Sequence, residues 1–296
     1  MPRTLEADLE RYCLDLLKGE GYQHFPGDSF DPDAMPGERT SFQDVALTGR
    51  FRASIARLNP SVPHDAVDRA ANAVLDHQFP EVLSENRRIH RLLLDGVPVE
   101  YQRDGETIHD RLRLVDWTDA SNEWFVVDQY TVVGSSKRRP DLVLFLNGLP
   151  LVVIELKAAE TEAATTQSAY NQLQTYKKDV PALFRTNLLG VISDGLSARY
   201  GTISADYDRF MAWRTVDGVK LEPPTGTLAI ETLIRGAPAP RGTPQHAALF
   251  HGVRGRWDHH DQEGCDDRWR QGWSGVAHSG LREEPPDGVL WRDASP

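Results

Sequence analysis

Apolar and polar positions change their rhythm several times along this chain. Over residues 5–18 the apolar positions Leu5, Leu9, Tyr12, Cys13 and Leu16 fall on one helical face, and Gly19 and Gly21 end the run. Helical spacing also predicts helices over 40–58 and 64–77, parted by Pro60 and Pro63, and a shorter one over 81–95. A polar connector rich in Pro and Gly covers 26–38. From residue 97 the pattern turns β-like, with β-formers alternating or clustering over 97–102, 107–115 and 124–133 between turn signals. These strands lead into Arg138–Lys157, where two apolar runs flank Asn147-Gly148, a strong hairpin signal. Both runs are apolar at consecutive positions, so their strands should be covered on both faces. Helical spacing returns over 161–178, with Thr161 as its cap, Pro181 as its stop, and Ala169, Tyr170 and Leu173 against the sheet. An apolar strand at 188–193, a hairpin-like run to Tyr200-Gly201 and a packing segment at 210–213 follow. The order of elements gives an α/β domain with a mixed sheet.

Three charges interrupt the buried hairpin. Asp141 stands where its first strand begins, and Glu155 and Lys157 where its second ends. Ionised groups at the edge of a buried sheet are costly unless partners or a metal compensate them. Glu155 and Lys157 are two apart on a strand, so they project from one face. Whether Asp141 joins them depends on register. A strict two-residue Asn147-Gly148 loop pairs Asp141 with Ile154 and turns it away. A three-residue loop, or one bulge, pairs Asp141 with Glu155, and the catalytic reading requires this second register.

Two converging carboxylates suit a hard divalent cation, most naturally Mg²⁺, which takes one or two carboxylates together with phosphate oxygens and waters. Lys157 adds a compact positive charge to orient an attacking water or stabilise a phosphorane. The plainer alternative is a sheet edge with a solvated Glu and Lys. Glu10 falls on the polar side of the first helix, where a solvated surface residue is the expectation. Gln172 and Tyr176, four apart, share a helix face and suit a hydrogen-bonded pair.

Composition narrows the classes. Hydrophobic content of 40% and charged content of 26% over 296 residues are ordinary for a globular protein. No apolar run is long enough to span a bilayer, and no N-terminal signal pattern is visible, so no membrane is expected. Two cysteines, Cys13 and Cys265, make no disulfide framework and suit a reducing cytoplasm. A net charge of −11 argues against broad electrostatic affinity for nucleic acid. Any DNA contact must come from local clusters such as Lys137-Arg138-Arg139 and Lys177-Lys178, or from a partner.

Several phrases together resemble a known family. They are Asn86-Arg87-Arg88-Ile89-His90, Leu94-Asp95-Gly96-Val97, Arg139-Pro140-Asp141, Phe145-Leu146-Asn147-Gly148-Leu149-Pro150, Glu155-Leu156-Lys157, Gln172-Leu173-Gln174-Thr175-Tyr176 and Ile192-Ser193-Asp194-Gly195. The arrangement looks like the PD-(D/E)xK nuclease core, and residues 1–235 resemble the N-terminal domain of the restriction subunit of type I restriction–modification enzymes. The resemblance implies a restriction-endonuclease-like mixed β-sheet flanked by helices, its core about 97–215. It implies an Mg²⁺-dependent type I site-specific deoxyribonuclease in which Asp141, Glu155 and Lys157 are catalytic and Asp141 and Glu155 hold the metal. Gln172 and Tyr176 match the family's Gln-x-x-x-Tyr motif, which engages DNA, and Glu10 would be accessory. Implied partners are double-stranded DNA and the methyltransferase and specificity subunits. ATP and S-adenosylmethionine belong to the full family complex, in which the restriction subunit continues into a helicase motor.

The last stretch departs from the family. After Lys220 there is no lysine, and the segment from 236 holds four of the seven tryptophans and five of the ten histidines, without helical or strand period. His259, His260 and Cys265 lack the second thiol or spaced His pair of a zinc site. Read one base later with permitted synonyms, Val276–Glu284 can encode Trp-His-Thr-Gln-Gly-Ser-Gly-Lys-Ser, a phosphate-binding loop. The expectation is therefore a frameshift near 235–240 and a poorly ordered, out-of-frame tail over 236–296. As written, the chain contains no Gly-x-x-x-x-Gly-Lys-[Ser/Thr], so ATPase or translocase activity is not expected of it. The competing expectation is an inactive fragment acting at most as an interaction module.

Overall fold

The computed structural model describes residues 2–35, 37–117, 121–157, 166–216 and 228–236. The first helix, α1 (Pro2–Gly19), buries Cys13, Leu14 and Leu17, while Leu9, Tyr12 and Leu16 are half-buried, so its core face lies slightly to one side of the expected stripe. Gly21, at φ +96°, turns the chain into β1 (Gln23–Pro26). That strand was not expected, because four residues ending in proline show no alternation. It lies at a sheet edge, where a missing N–H is tolerated. The connector that follows is less exposed than its composition suggests, since Phe30 is fully buried.

The helix expected over 40–58 starts only at Thr48. The Asp44 carboxylate accepts hydrogen bonds from the Thr40 and Ser41 backbone N–H groups and the Thr40 hydroxyl, holding 40–44 in a turn. The helices then run as α2 (Thr48–Leu58), α3 (His64–Leu75) and α4 (Val82–Asp95), the last close to its expected limits. Within α4, Asn86 is fully buried and donates from Nδ2 to the carbonyls of Phe184, Arg185 and Asn187, which ties this helix to the approach of a later strand.

The strands β2 (Val97–Arg103) and β3 (Glu106–Leu112) do not lead into the central sheet as expected. Asp104-Gly105, both at positive φ, close them on each other as a separate two-stranded sheet. The next apolar run divides. β4 (Trp124–Asp128) enters the central sheet, while β5 (Val132–Val133) and β6 (Lys137–Arg138) form a small two-stranded ladder. There follow β7 (Leu142–Leu146), β8 (Leu149–Leu156), α5 (Thr166–Asp179), β9 (Leu189–Ser193), β10 (Ala198–Gly201) and α6 (Ala229–Gly236).

The central sheet has six strands in the order β1-β4-β7-β8-β9-β10. β1 is parallel to β4 and β8 to β9, and the other pairs are antiparallel, which is the mixed α/β sheet anticipated from the element order. Side chains partition with the two-residue period of a strand. Leu142, Leu144, Val152 and Ile154 pack with α1 to α4 and α6 on one face; Val143, Phe145 and Val153 pack with Ala169, Leu173 and Tyr176 of α5 on the other. Every residue of β7 and β8 is buried, as uninterrupted apolar runs require. Phe125 and Phe145 stack at 4.9 Å between the middle strands.

Thr161 and the tail over 237–296, with Cys265, lie outside the described residues. Among the described residues no helix is long and apolar enough to cross a membrane.

Candidate active site

The hairpin register decides whether the charged residues meet. Leu146 pairs with Leu149 across Asn147-Gly148, so the loop is the two-residue kind. A register shift then intervenes between Leu144 and Phe145, because Phe145 pairs with Pro150 but Leu144 with Val152. Leu151 is the extra residue of a β-bulge. The cause is local: Pro150 has no N–H to give the ladder, and the Leu151 carbonyl is taken instead by Leu188 N at 2.6 Å and Asn187 Nδ2 at 3.2 Å. Beyond the bulge Leu142 pairs with Ile154, so Asp141 falls opposite Glu155. This is the bulged alternative, and it brings both carboxylates to one end and one face of the sheet.

Asp141 Oδ2 accepts a hydrogen bond from Leu156 N at 2.7 Å, which fixes its carboxylate against the end of β8. Glu155 is 1% exposed. Its Oε1 receives Lys157 Nζ at 2.8 Å, while its Oε2 is buried without a hydrogen-bond partner. Lys157 is also held by Glu6 Oε1 at 3.2 Å, from the start of α1. From the α5 side, Tyr176 lies close enough to Glu155 to oppose the rise of its pKa, and Gln172 Nε2 donates to the Tyr176 hydroxyl at 3.0 Å. The expected Gln–Tyr pair therefore exists and bears on Glu155.

Three residues that the sequence did not single out complete the cluster. Gln129, just past β4 and at φ +52°, donates from Nε2 to both oxygens of Glu10 and lies close enough to the Asp141 carboxyl to oppose the rise of its pKa. Its Oε1 accepts Arg139 Nε at 2.8 Å, and its backbone N–H donates to the Asp141 carbonyl at 2.8 Å. Asp128, paired with His24, adds charge near Glu10, and Glu6 reaches Lys157. Gln129 had the same signal as Glu155, a polar side chain at the end of an apolar strand. Glu10 is not the solvated helix residue expected of it: it is half-buried and joined to the Asp141 end through Gln129.

Burial sets the protonation of this acidic end. It pushes Glu155 up to about 8, with repulsion from Asp141 adding to the rise and Lys157 opposing it. Asp141 rises to about 6, chiefly through burial, against the Leu156 N–H and Lys157. Burial lifts Glu10 to about 7, although the Gln129 hydrogen bond pulls it down. Burial works against the charge on Lys157, yet its ion pair with Glu155 holds its pKa above the ordinary lysine value. Burial and the neighbouring Glu155 charge push Tyr176 upward, so its hydroxyl keeps its proton. Carboxylates raised this far are sites where charge is stored against desolvation, the usual condition of a binding or reacting centre.

The basic clusters are partly committed to the fold. Arg138 pairs with Asp179, Lys137 lies over the Phe42 ring, and Lys177 Nζ donates to the Ile203 carbonyl at 2.7 Å. Arg139 stays exposed on the rim beside Gln129.

Residues 3–209 match the family model described as "Type I restriction enzyme R protein N terminus". Among curated relatives, the type I restriction enzyme HindI endonuclease subunit of Haemophilus influenzae is 36% identical over 215 residues, 72% of this chain and 20% of that protein. The putative type I restriction enzyme MjaIXP endonuclease subunit of Methanocaldococcus jannaschii is 30% identical over 214 residues, 71% of this chain and 20% of that protein. The EcoprrI endonuclease subunit of Escherichia coli is 26% identical over 229 residues, 73% of this chain and 66% of that protein. The chain thus spans about a fifth of the length of the first two relatives. With the mixed sheet and its charged end in place beneath that match, the chain belongs to the type I restriction enzyme R protein N-terminal family.

Proposed function

We propose that this domain, running through residue 235, is the Mg²⁺-dependent endonuclease domain of a type I restriction–modification enzyme. It cleaves phosphodiester bonds of double-stranded DNA in the cytoplasm, in complex with methyltransferase and specificity subunits. ATP and S-adenosylmethionine would serve that complex, not this domain. The observation that carries the reading is the meeting of Asp141 and Glu155 beside Lys157, with Glu155 Oε2 buried and unpartnered.

The donor set fits a hard cation. Glu155 Oε2, buried with no hydrogen-bond partner, is open to a cation once the carboxyl ionises, and two carboxylates leave room for phosphate oxygen and water. Among the described residues no group of three or more His, Cys, Asp or Glu side chains forms a ready-made cage, which favours a cation that keeps waters and shares its shell with substrate. Bound by Asp141 and Glu155, Mg²⁺ would polarise the phosphoryl group and lower the pKa of a coordinated water.

The protein's own side chains do the rest. Lys157, anchored at 2.8 Å to Glu155, directs its ammonium charge to the attacking water and to the negative charge that grows on the phosphorane. Tyr176, oriented by Gln172, closes the α5 side of the Glu155 carboxyl and favours its ionised form. Gln129 fixes Glu10 and Asp141 together, so that the acidic end keeps its shape before substrate arrives. Arg139 meets the phosphate backbone at the rim. The test is nicking of supercoiled plasmid by the purified chain in Mg²⁺, against EDTA and against Asp141→Ala. Equal nicking by wild type and Asp141→Ala defeats the assignment.

The raised carboxylates also set a pH dependence. Asp141 and Glu155 hold protons up to about 6 and about 8, and a cation must displace them. In the metal-free domain these groups favour folding when protonated. That contribution is full below the unfolded carboxylate values and is lost as pH rises through the folded ones. Mg²⁺ therefore binds more tightly, and offsets more, at higher pH. Saturating Mg²⁺ should raise the melting temperature by about 5 °C or more at pH 8.5 and by about 1 °C or less at pH 5.5. Equal shifts at the two pH values would remove these carboxylates from the cation site.

A further inference from the structure

Lys157 N donates to the carbonyl of Ser193, the last residue of β9, so the turn after β9 begins one strand away from the charged end of β8. That turn is Asp194-Gly195-Leu196-Ser197, and Leu196 is 72% exposed, the most exposed large apolar side chain among the described residues. Its backbone is firmly held. The Asp194 Oδ1 accepts Leu196 N at 3.0 Å and Ser197 N at 2.6 Å. The Ser193 hydroxyl accepts Gly195 N at 3.1 Å and donates to the Ser197 carbonyl at 2.9 Å. Gly195 sits at φ +88°, and a Cβ placed there would lie 3.7 Å from Leu9 of α1, the helix that carries Glu6 and Glu10. Four hydrogen bonds thus hold the backbone from which an apolar side chain reaches into solvent, at the sheet end one strand along from the end of β8.

We infer that Leu196 is an apolar wedge that packs against the sugar–base stack of the nucleotide next to the cleaved phosphate and positions the duplex for cleavage. The inference rests on the proposed DNA hydrolysis and extends it to a residue outside the charged cluster. Neighbouring strands of a sheet are ~4.8 Å apart, and successive phosphates of one DNA strand rise by ~3.4 Å. A phosphate seated between Asp141, Glu155 and Lys157, on a DNA strand that runs from β8 toward β10, would bring its flanking sugar and base to the Leu196 turn. Leucine on a rigid support is a side chain that enters the groove and loosens a base step. The wedge is a positioning residue: it acts on the shape of the substrate and not on the reacting atoms.

The experiment uses the full chain with Leu196→Ala and Leu196→Met, on duplex and single-stranded DNA, in Mg²⁺. A second readout is the fluorescence of 2-aminopurine placed at successive steps of a short duplex, in Ca²⁺ without turnover. Leu196→Ala should melt at the wild-type temperature, lose roughly tenfold or more of duplex cleavage, and cleave single strands like wild type. Wild type and Leu196→Met should raise the 2-aminopurine signal at one step, and Leu196→Ala should not. Wild-type duplex cleavage by Leu196→Ala, or an unchanged fluorescence rise, overturns the wedge. If instead wild type and Asp141→Ala nick alike, the hydrolytic reading fails, while the fluorescence difference still decides what Leu196 does.

Discussion

Glu155→Gln is expected to lower Mg²⁺-dependent cleavage by at least about a thousandfold, ~4 kcal/mol in the barrier, while making the metal-free domain more stable than wild type at pH 8.5. The two effects share one cause. Glu155 is 1% exposed, and burial holds its proton up to about 8, so above that pH the native state carries an ionised carboxylate that it solvates poorly. The amide has nearly the same shape and carries no charge at any pH. It keeps an oxygen for the Lys157 ammonium, but it is a poor ligand for a hard cation. Lys157 faces a neutral oxygen in place of a charged one and keeps Glu6 at 3.2 Å, which limits the cost on that side. Thermal melts in EDTA should therefore show Glu155→Gln above wild type by about 2–4 °C at pH 8.5. At pH 5.5 both side chains are neutral and the curves should coincide. Cleavage within tenfold of wild type would remove Glu155 from the reaction, and a variant less stable than wild type at pH 8.5 would show that its charge supports the fold.

Much of this centre was legible in the sequence, and the parts that were not share a reason. Asn147-Gly148 announces the hairpin, and charged residues ending uninterrupted apolar runs announce the site. Asp141 and Glu155 fit two registers on sequence alone, since a slip of one residue reverses a side chain's face. The deciding residue was Pro150, whose missing N–H favours the bulge at Leu151. Gln129 and Glu6 stayed hidden because their importance lies in long-range contacts, across 119 residues to Glu10 and 151 to Lys157. The β2–β3 pair stands apart from the main sheet, although its strands were expected to lead into the hairpin, because a strand's own pattern does not name its partner. The turn at 40–44 replaced a helix because one carboxylate, Asp44, offered the backbone competing hydrogen bonds. Local signals were reliable where a residue's neighbours in sequence are also its neighbours in space.

The second large effect concerns the turn that fixes the hairpin. Gly148→Ala should destabilise the domain by about 3–5 kcal/mol, whereas Gly105→Ala should cost only about 1 kcal/mol. Both glycines hold the second position of a two-residue turn, at φ +89° and +83°. Each alanine therefore meets the same penalty for a left-handed backbone. The surroundings differ. A Cβ at Gly105 meets nothing within 4 Å, while one at Gly148 would lie 2.6 Å from the Leu47 carbonyl oxygen and 2.8 Å from Phe51 N. Those are backbone atoms at the start of α2, and Leu47 N already donates to the Gly148 carbonyl at 2.8 Å, so the helix and the turn cannot part without losing that bond. Asn147 shares the constraint, since its buried side chain bonds Leu114, Asn122 and Glu123. Urea denaturation of both variants measures the two costs, and equal losses would mean that the turn has room the close contacts deny. The consequence reaches the far end of the hairpin. A turn displaced from α2 no longer fixes which residue of β8 stands opposite Asp141, so Mg²⁺-induced stabilisation should fall in Gly148→Ala and persist in Gly105→Ala.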